Sequence, residues 1–344
     1  MSRAQGAGTP GLPEGAADVG LSPGAHVEVS PGARVEVSRG ARDPAARAAL
    51  PAGPPDRTAT PLRGRTVVLT GGSSGIGAAA AERLVDLGAR VLVVGRSAAK
   101  TAAVADRIGA VPLVADFARL DDVRRLADEL LGLCPRIDVL ANNAGAIYPE
   151  RLVTVDGHEM TFQINYLAGF LLTGLLLPRL ATTPGSRVLV TSSVVSRVGH
   201  LDLDDLDRSR RRYQQFAVYA DSKLATVLFV RELSRRVAAR GDAAGGPTAT
   251  AFHPGSVATA IGRDTWYLAW FNRSPVNRLF ARRPHQGAAP LVALAARADP
   301  GAVDGAYLHR FRRRERLLTS HQSRDPELAH GLWDRSAALV GLPG

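Results

Sequence analysis

The sequence predicts an α/β fold in which a doubly wound parallel sheet carries helices on both faces. From about residue 65 onward, short runs of apolar, β-branched residues alternate with segments of helical period. The first apolar run leads into the glycine-rich turn TGGSSGIG (70–77), which opens a helical pattern. Continuously apolar strands are typical of parallel strands that are buried on both faces. A doubly wound sheet buries its strands in this way.

Each predicted element has its own signal. The predicted strands are RTVVLT (65–70), ARVLVVG (89–95), VPLVAD (111–116), IDVLANNAG (137–145), RVLVTSS (187–193) and PTATAFHPG (247–255). The predicted helices cover 75–88, 98–108, 120–132 and about 213–240. Gly88 is a natural end for the first helix, because glycine readily adopts the left-handed conformation found after helix C-termini. The longest apolar run, YLAGFLLTGLLLP (166–178), is too short to span a bilayer and predicts a buried helix.

Residues 1–61 differ in composition from the rest of the chain and are predicted to form a disordered tail. They are rich in Pro, Gly and Ala, lack aromatic residues, and include the near-repeat SPGAHVEV (22–29) and SPGARVEV (30–37). Such a segment buries too little apolar surface to offset its chain entropy. The folded domain is therefore expected to cover residues 62–344.

The cysteine content and the composition of the first 60 residues indicate in which cellular compartment the protein is expected. The single cysteine, Cys134, excludes a disulfide within the chain and argues against a thiolate metal cluster, so no metal site is predicted. The first 60 residues contain no apolar segment of the kind that a signal peptide needs. We therefore expect a cytoplasmic protein. The heavy use of Ala, Arg, Gly and Pro suggests a GC-rich, bacterial genome.

The net charge of +11 raises the question of a nucleic-acid partner. Much of the excess is local, because residues 262–324 hold twelve arginines against four acids. The clusters RSRRR (208–212) and RFRRRER (310–316) are expected to lie in solvated loops or at a sheet edge. Neither belongs to a recognised nucleic-acid-binding module, so no nucleic-acid partner is predicted.

The glycine-rich turn predicts a dinucleotide site. Gly71, Gly75 and Gly77 bracket a tight turn from strand into helix, where free backbone N–H groups can meet a pyrophosphate. At the end of the second strand, Gly95 stands where an NAD-preferring site would place an acid, and Arg96 follows it. A missing carboxylate beside a guanidinium favours the extra phosphate of NADP(H) over NAD(H). An exposed loop arginine is the alternative for Arg96.

Tyr219 and Lys223 are four residues apart in the run FAVYADSKLATVL (216–228), so they share one face of the predicted helix. Of the 43 basic residues, only Lys100 and Lys223 are lysines. Arginine would serve if this position needed only a positive charge, so the lysine indicates a need for an ammonium group. An ordinary exposed ion-pair position is the alternative.

These motifs, with NNAG (142–145), Asn165 and Ser193, resemble in order and spacing those of the short-chain dehydrogenase/reductase family over about residues 64–344. The runs VYADSKLATVLFVRELSRR and AFHPGSVATAI (251–261) look like the branch that contains retinol dehydrogenases and protochlorophyllide reductases. The resemblance implies a Rossmann-like fold and a nicotinamide cofactor. The cofactor-binding residues that it implies are Gly71, Ser73, Ser74, Gly75, Ile76, Gly77, Arg96, Asp116, Phe117, Asn142, Asn143, Ala144, Gly145, Tyr219, Lys223, Pro254, Gly255, Val257 and Thr259.

The resemblance also implies catalytic roles. Tyr219 is the acid/base, and Lys223 together with the positively charged oxidised nicotinamide is expected to lower its pKa from about 10. Ser193 is the last residue of the predicted strand RVLVTSS. At that position its hydroxyl is expected to hold the substrate oxygen as charge develops. Ser192 is the alternative, since adjacent serines at a strand end are otherwise turn formers.

Three further residues have two interpretations each. Asn165 is expected to order a water beside the lysine, with a solvated helix residue as the alternative. Asp116 is expected to meet the adenine, with a helix N-cap as the alternative. His253 has no carboxylate or second histidine at ligand spacing, so it is interpreted as structural.

The segment 262–284 is the variable part and is expected to form a lid over the substrate. In the family this region covers the substrate, so Trp266, Tyr267 and Trp270 are expected to line an apolar pocket. Packing of a surface helix without substrate contact is one alternative, and contact with a membrane surface is another.

The sequence therefore predicts an NADP(H)-dependent oxidoreductase that interconverts a carbonyl and an alcohol on a lipophilic small molecule. A non-catalytic NADPH-binding sensor or scaffold and a double-bond reductase of the protochlorophyllide type are the alternatives. The branch does not determine the substrate. A homodimer through helices at 155–180 and 213–240 is common in the family and is a further expectation.

Overall fold

A computed structural model contains the predicted parallel sheet. It describes residues 61–241, 246–255, 284–313 and 320–343, all within the unit Ala48–Gly344. The strands are β1 (Thr66–Thr70), β2 (Arg90–Gly95), β3 (Val111–Val114), β4 (Val139–Asn142), β5 (Arg187–Thr191), β6 (Thr248–His253), β7 (Tyr307–His309) and β8 (Arg312–Arg313). The predicted tail, apart from its last residue, and the predicted lid up to residue 283 lie outside the described residues.

The strands are arranged in the order β3-β2-β1-β4-β5-β6-β7-β8. The first seven pair in parallel, whereas β8 pairs with β7 in the antiparallel sense. The order reverses at β1, which lies between β2 and β4. A doubly wound sheet binds ligands at such a reversal, outside the carboxyl ends of its strands. The fold therefore brings the predicted motifs to one edge of the sheet.

Helices cover both faces of the sheet, as predicted. They are α1 (Gly75–Asp86), α2 (Ala98–Ile108), α3 (Leu120–Leu133), α4 (Met160–Phe162), α5 (Ala168–Ala181), α6 (Gln215–Arg240), α7 (Pro284–Ala295) and α8 (Pro326–Leu339). Residues of α1 and α7 share one apolar core with the sheet, and residues of α3, α5, α6 and α8 share the other. Each strand can therefore be apolar on both faces, which explains the continuous apolar runs.

The helix ends follow local signals. The helix α2 has the predicted bounds, and its N-cap Ser97 accepts a hydrogen bond from the Lys100 N–H at 3.4 Å. The helix α1 ends before Gly88, whose φ of 88° is left-handed. The Gly88 N–H donates to the Val85 carbonyl at 2.8 Å. The predicted role of Gly88 at the end of this helix is confirmed.

The helices α4 and α5 are joined by a π-helical turn, Gln163–Leu167, into one helical segment, Met160–Ala181. This segment has 22 residues and is long and apolar enough to cross a membrane, so the apolar helix is longer than the predicted run. Within its most apolar window, 72% is buried inside the protein, which is typical of a core helix. A π turn widens the helix locally and is frequent at functional sites.

The C-terminal helix α8 packs on α5 and α6. The centre of its Trp333 ring lies 5.0 Å from the centre of the Phe170 ring and 5.9 Å from that of the Phe229 ring. The buried hydroxyls of Ser336 and Tyr166 are hydrogen-bonded at 2.8 Å. These contacts cover part of the helix surface through which a homodimer was expected. A dimer that used this part of the surface would have to displace α8.

Candidate active site

The turn after β1 is a cradle with no room for side chains. Gly71 has a φ of 66°, and a Cβ atom there would lie 2.8 Å from the Ala144 Cα. A Cβ atom on Gly77 would overlap the Gly71 carbonyl oxygen. The side chain of Ser74, the N-cap of α1, makes no capping hydrogen bond. The first N–H groups of α1 therefore lack that partner, as a phosphate site at a helix N-terminus requires.

Hydrogen bonds join the ends of three neighbouring strands beside this cradle. The Thr70 hydroxyl donates to the Ala141 carbonyl at 3.2 Å and accepts from the N–H groups of Asn143 and Ala144 at 2.9 and 3.0 Å. The Asn143 amide donates to the Thr70 carbonyl at 3.0 Å and accepts from the Thr191 hydroxyl at 3.1 Å. Asn143 and Ala144 thus form the wall of the crevice opposite the glycine turn, where cofactor contacts were predicted.

Three other predicted cofactor residues have side chains that point into the protein interior. The Asn142 side chain is buried, and its amide donates to the Thr173 hydroxyl at 2.9 Å, which ties β4 to α5. Ile76 and Phe117 are buried in the two apolar cores. The prediction that Asn142 lines the cofactor pocket is wrong, because successive residues of a strand face opposite sides of the sheet. Ile76 and Phe117 can meet a cofactor only through their backbone.

The side chains of Ser193, Tyr219 and Lys223 come together at the carboxyl edge. The Ser193 hydroxyl lies close enough to the Tyr219 hydroxyl to lower its pKa. The Lys223 ammonium lies 5.6 Å from the centre of the Tyr219 ring and donates to the Thr191 carbonyl at 3.0 Å. Lys223 is 3% exposed, and no carboxylate pairs with it in the described part of the chain. The lysine is therefore a buried cation that faces the tyrosine.

The adjacent serines have different roles. The buried Ser192 hydroxyl donates to the Lys223 backbone carbonyl at 2.9 Å, which fastens β5 to α6. Ser193 is only partly buried, and its hydroxyl lies close enough to Tyr219 to affect the pKa of the tyrosine. The geometry thus favours Ser193 over Ser192 as the serine that holds a substrate oxygen.

Burial sets the protonation states of this site. It raises the pKa of Tyr219 to about 12, against the opposing effect of the nearby Ser193 hydroxyl. It lowers the pKa of Lys223 to about 8, because a buried ammonium loses its hydration. The expected lowering of the Tyr219 pKa is therefore not produced by the protein's own groups. At pH 7 Tyr219 is a neutral hydroxyl and Lys223 is mostly charged.

Asn165 lies in the π turn and braces the site. Its side-chain oxygen accepts from the Ala146 N–H at 2.7 Å, and its amide donates to the Ser222 hydroxyl at 2.9 Å. A Cβ atom on Gly145 would lie 3.2 Å from the Asn165 oxygen and 3.5 Å from the Lys223 ammonium. Asn165 thus connects the loop after β4 with the helix that carries the tyrosine. Its role in ordering a water stays a prediction.

The end of β2 has no room for an acidic side chain. A Cβ atom on Gly95 would lie 2.5 Å from the Thr101 hydroxyl and 2.7 Å from the Ser73 hydroxyl. Arg96 follows and is exposed beside the N-terminus of α2. Packing against Ser73 and Thr101 therefore explains why a glycine, and not an acid, ends β2. The exposed guanidinium of Arg96 follows it in the chain.

Two of the remaining predictions can be compared with the structure. Asp116 is not the N-cap of α3, which is Arg119; the Asp116 carboxylate instead accepts from the Ala118 N–H at 3.0 Å. His253 is buried at the end of β6, and burial lowers its pKa to about 4. Its ring lies 5.1 Å from that of His309 on β7. Sequence spacing gave no sign of this pair, and the described residues hold no cluster of three metal-ligating side chains.

Between β6 and α7 the structure describes only Pro254, which is buried, and Gly255, whose φ is 96°. The predicted cofactor and substrate residues of the next segment lie outside the described residues; they are Val257, Thr259, Trp266, Tyr267 and Trp270.

The cluster at 208–212 is more ordered than expected. Arg208 pairs with Asp221 at 2.7 Å, and Arg211 pairs with Asp205 at 2.9 Å. The Arg208 and Asp221 side chains are 11% and 5% exposed, so a purely solvated loop is the wrong interpretation. The second cluster does reach the sheet edge, where Arg312–Arg313 form β8.

A doubly wound sheet with a glycine cradle at its reversal and a Ser–Tyr–Lys set at its carboxyl edge defines a short-chain dehydrogenase/reductase. Residues 65–267 match the family described as short chain dehydrogenase. The chain belongs to this family, and within it to the retinol dehydrogenase-like branch.

Two relatives and one solved structure illustrate the similarity. The chain is 40% identical over 297 residues to a candidate daunorubicin C-13 ketoreductase, DnrU, of Streptomyces sp. (strain C5). This match covers 84% of this chain and 98% of the relative. It is 35% identical over 292 residues to retinol dehydrogenase 13 of Homo sapiens, with 82% and 86% covered. The Pseudomonas aeruginosa RhlG/NADP active-site complex is similar at 26% identity and a TM-score of 0.57, over 72% of this chain and 94% of that one.

Proposed function

We propose that the protein is an NADP(H)-dependent oxidoreductase that interconverts a carbonyl and an alcohol on a lipophilic small molecule. The observation that carries the proposal is the contact of the Ser193 and Tyr219 hydroxyls beside the buried Lys223 ammonium. Family membership supports the class of reaction. The cofactor preference, the role of Tyr219 and the kind of substrate are our inference.

The residues present fit a nicotinamide dinucleotide. The cradle at Gly71 and Gly77 admits a backbone-bound pyrophosphate where side chains would clash. When bound in its reduced form, the cofactor would supply a hydride. The chain supplies a buried ammonium, Lys223, which can hold hydroxyl groups of a ribose as well as face the tyrosine.

The three side chains divide the work of carbonyl reduction. Tyr219, neutral at pH 7, donates its proton to the carbonyl oxygen as that oxygen gains negative charge. The Ser193 hydroxyl donates a hydrogen bond to the same oxygen. The charged Lys223 stabilises the tyrosinate that remains, because a cation close to a phenolate favours its ionised form. Alcohol oxidation uses the same groups in the opposite sense.

Arg96 supports a preference for NADP(H). An acid that would hold ribose hydroxyls is excluded at Gly95 by Ser73 and Thr101. Arg96 and Lys100 place two cations beside the N-terminus of α2, which itself carries partial positive charge. This combination suits a phosphate better than a ribose hydroxyl.

An apolar rim supports a lipophilic substrate. Phe216, one turn before Tyr219, is 52% exposed, and Val198, in the turn that follows Ser193, is 60% exposed. Large apolar side chains on a surface beside reactive groups are typical of binding sites for apolar ligands. A cytoplasmic location and a homodimer remain further proposals, which fractionation and sedimentation would test.

The proposal is tested by NADPH consumption against a panel of lipophilic aldehydes and ketones, with NADH and the variant Tyr219→Phe as controls. Turnover with NADPH that Tyr219→Phe abolishes would support it. Tight NADPH binding without turnover of any panel member would favour the sensor or scaffold alternative.

A further inference from the structure

One buried carboxylate ties two points of a loop to the helix that carries Tyr219. Asp221, two residues after Tyr219 on α6, accepts from the His200 N–H at 2.7 Å. Its other oxygen accepts from the Arg208 guanidinium through two N–H groups, at 2.9 and 2.7 Å. His200 lies at the start of the loop 199–213, and Arg208 lies beyond its middle. Asp221 thus holds two separate points of the loop on α6.

The hydrogen bond between Asp221 and the His200 N–H also bears on the position of Ser193. Ser193 is followed directly by a short 3₁₀ turn, Val194–Val198, which ends next to Gly199. A Cβ atom on Gly199 would lie 2.5 Å from the Ala220 carbonyl oxygen, so the loop backbone rests on α6 one residue from Tyr219. The segment from Ser193 to His200 is therefore anchored at its far end to the turn of α6 that holds Tyr219.

Arg208 reaches this carboxylate from an unfavourable backbone conformation. Its φ is 46°, and among the described residues only one other non-glycine residue, Arg310, has a positive φ. A left-handed conformation at such a residue costs about 1 kcal/mol or more and persists only where the surroundings enforce it. Strain of this kind concentrates at functional sites, and here it aims a side chain at the catalytic helix.

Stability alone does not explain the pair. Burial raises the pKa of Asp221 above its usual range, although the His200 N–H and Arg208 oppose it. Removing both charges from water offsets most of their attraction, so a buried pair is weak support for a stabilising role. What the pair provides is a defined geometry between two segments.

We propose that Asp221 and Arg208 are positioning residues, which hold the Ser193 hydroxyl beside the Tyr219 hydroxyl. This proposal rests on the proposed function, since those two hydroxyls act together on the substrate oxygen. Small displacements of reacting groups reduce rates strongly: a 1 Å shift can reduce the rate by about 100-fold.

The kinetic test compares Arg208→Gly, Arg208→Lys and a matched control, Arg335→Ala. Arg208→Gly removes the guanidinium and also the backbone strain, so it is expected to fold. Arg335 pairs with Asp204 at 2.9 Å between exposed side chains and does not touch α6 in the described contacts. We expect Arg208→Gly to lower kcat by about 10- to 100-fold. Arg208→Lys should be intermediate, and KM for NADPH should change less than about twofold because the glycine cradle is untouched.

A spectroscopic test needs no turnover. With 3-fluorotyrosine placed at position 219, the ¹⁹F chemical shift reports the proximity of the Ser193 hydroxyl, and Ser193→Ala defines the value without that hydroxyl. We expect Arg208→Gly to move the shift toward that value and Arg335→Ala to leave it unchanged. Wild-type protein without carbonyl turnover would remove the proposed function, yet this shift would still decide the positioning role. An unchanged ¹⁹F shift in Arg208→Gly would overturn the positioning role, as would an unchanged kcat in an active enzyme.

Discussion

Buried charges are compensated differently at the two edges of the sheet, where the amino ends and the carboxyl ends of the parallel strands lie. At the amino edge, the buried Asp138 carboxylate accepts from Arg65 and Arg136, each at 2.7 Å, and from the Thr66 N–H at 2.9 Å. At the carboxyl edge, the buried Lys223 ammonium donates to one backbone carbonyl, and no carboxylate pairs with it in the described part of the chain. Asp138 is therefore compensated by several hydrogen-bond donors, whereas Lys223 is bound by a single backbone carbonyl in the described part of the chain.

The pKa values follow this difference. Burial acts to raise the pKa of Asp138, but hydrogen bonds from Arg136 and Arg65 outweigh it and hold the pKa below its usual range. Burial lowers the pKa of Lys223 to about 8. A fully paired charge serves the fold, whereas an incompletely paired charge marks a candidate functional site. The comparison thus separates the structural edge from the candidate catalytic one.

The largest expected effect is on catalysis at the carboxyl edge. Tyr219→Phe removes the proton donor, and general acid–base catalysis contributes about 100- to 10,000-fold. We expect kcat for carbonyl reduction to fall within that range while the Kd for NADPH changes less than about threefold. Stopped-flow rates and fluorescence titration measure the two quantities. Activity above a tenth of wild type would contradict the assigned role.

The next effect is on stability at the amino edge. Asp138→Asn removes the charge that Arg65 and Arg136 bind, and a hydrogen bond to a charged group contributes about 1.5–3 kcal/mol, so we expect a loss of about that size. The lowered folded pKa means that this contribution is present above the unfolded pKa and is lost as pH falls through the folded one. Urea unfolding at pH 7 measures it, with Asp86→Asn, which breaks an exposed pair at 3.7 Å, as the control expected to cost under about 1 kcal/mol. Equal losses in the two variants would remove the distinction between the edges.

Lys223 gives a pH dependence of the same sign in a higher pH range, because here the charged form of the buried group destabilises the fold. Its folded pKa, about 8, is below the ordinary value of 10.5, so between these values the unfolded state binds more protons. The free energy of unfolding of the wild type should therefore rise with pH over this window, by up to about 3 kcal/mol from this group. Lys223→Met should be more stable than wild type at pH 7 and should lose this slope. Urea unfolding of cofactor-free protein at pH 7 and pH 9.5 would show it, and parallel pH slopes in the two proteins would argue against a buried ammonium.

The smallest expected effect concerns the choice of cofactor. Arg96→Ala removes a guanidinium from the expected site of the extra phosphate, and a charged hydrogen bond contributes about 1.5–3 kcal/mol. We expect the ratio of kcat/KM for NADPH to that for NADH to fall at least about tenfold. Arg107→Ala, at the far end of α2, is the matched control, because Arg107 pairs with Glu82 at 3.5 Å. A ratio that Arg96→Ala leaves unchanged would assign phosphate recognition elsewhere.

Sequence reasoning succeeded where the signal is local. The bounds of α2 and the glycine at the end of α1 follow from periodicity and from glycine's conformational freedom. The meeting of Ser193 with Tyr219 and Lys223 followed from family resemblance. Four-residue spacing on a helix supported only the tyrosine–lysine part of it.

It failed where a side chain's direction or partner depends on the folded sheet. Asn142 and Asn143 are adjacent in sequence, yet one faces α5 and the other the crevice. Arg208 and Asp221 are 13 residues apart, and an arginine-rich loop gives no sign of which arginine will be buried. The pKa of Tyr219 was expected to fall, but spacing cannot show how strongly burial acts on its hydroxyl.

Hydride transfer is tested most directly with NADPH deuterated at both C4 positions. The substrate would be a lipophilic ketone that the enzyme turns over. We predict that mass spectrometry of the alcohol shows one deuterium on the former carbonyl carbon, and that Tyr219→Phe yields almost no labelled product. Alcohol formed without deuterium at that carbon, or label transferred equally well by Tyr219→Phe, would contradict the catalytic role assigned to the carboxyl edge.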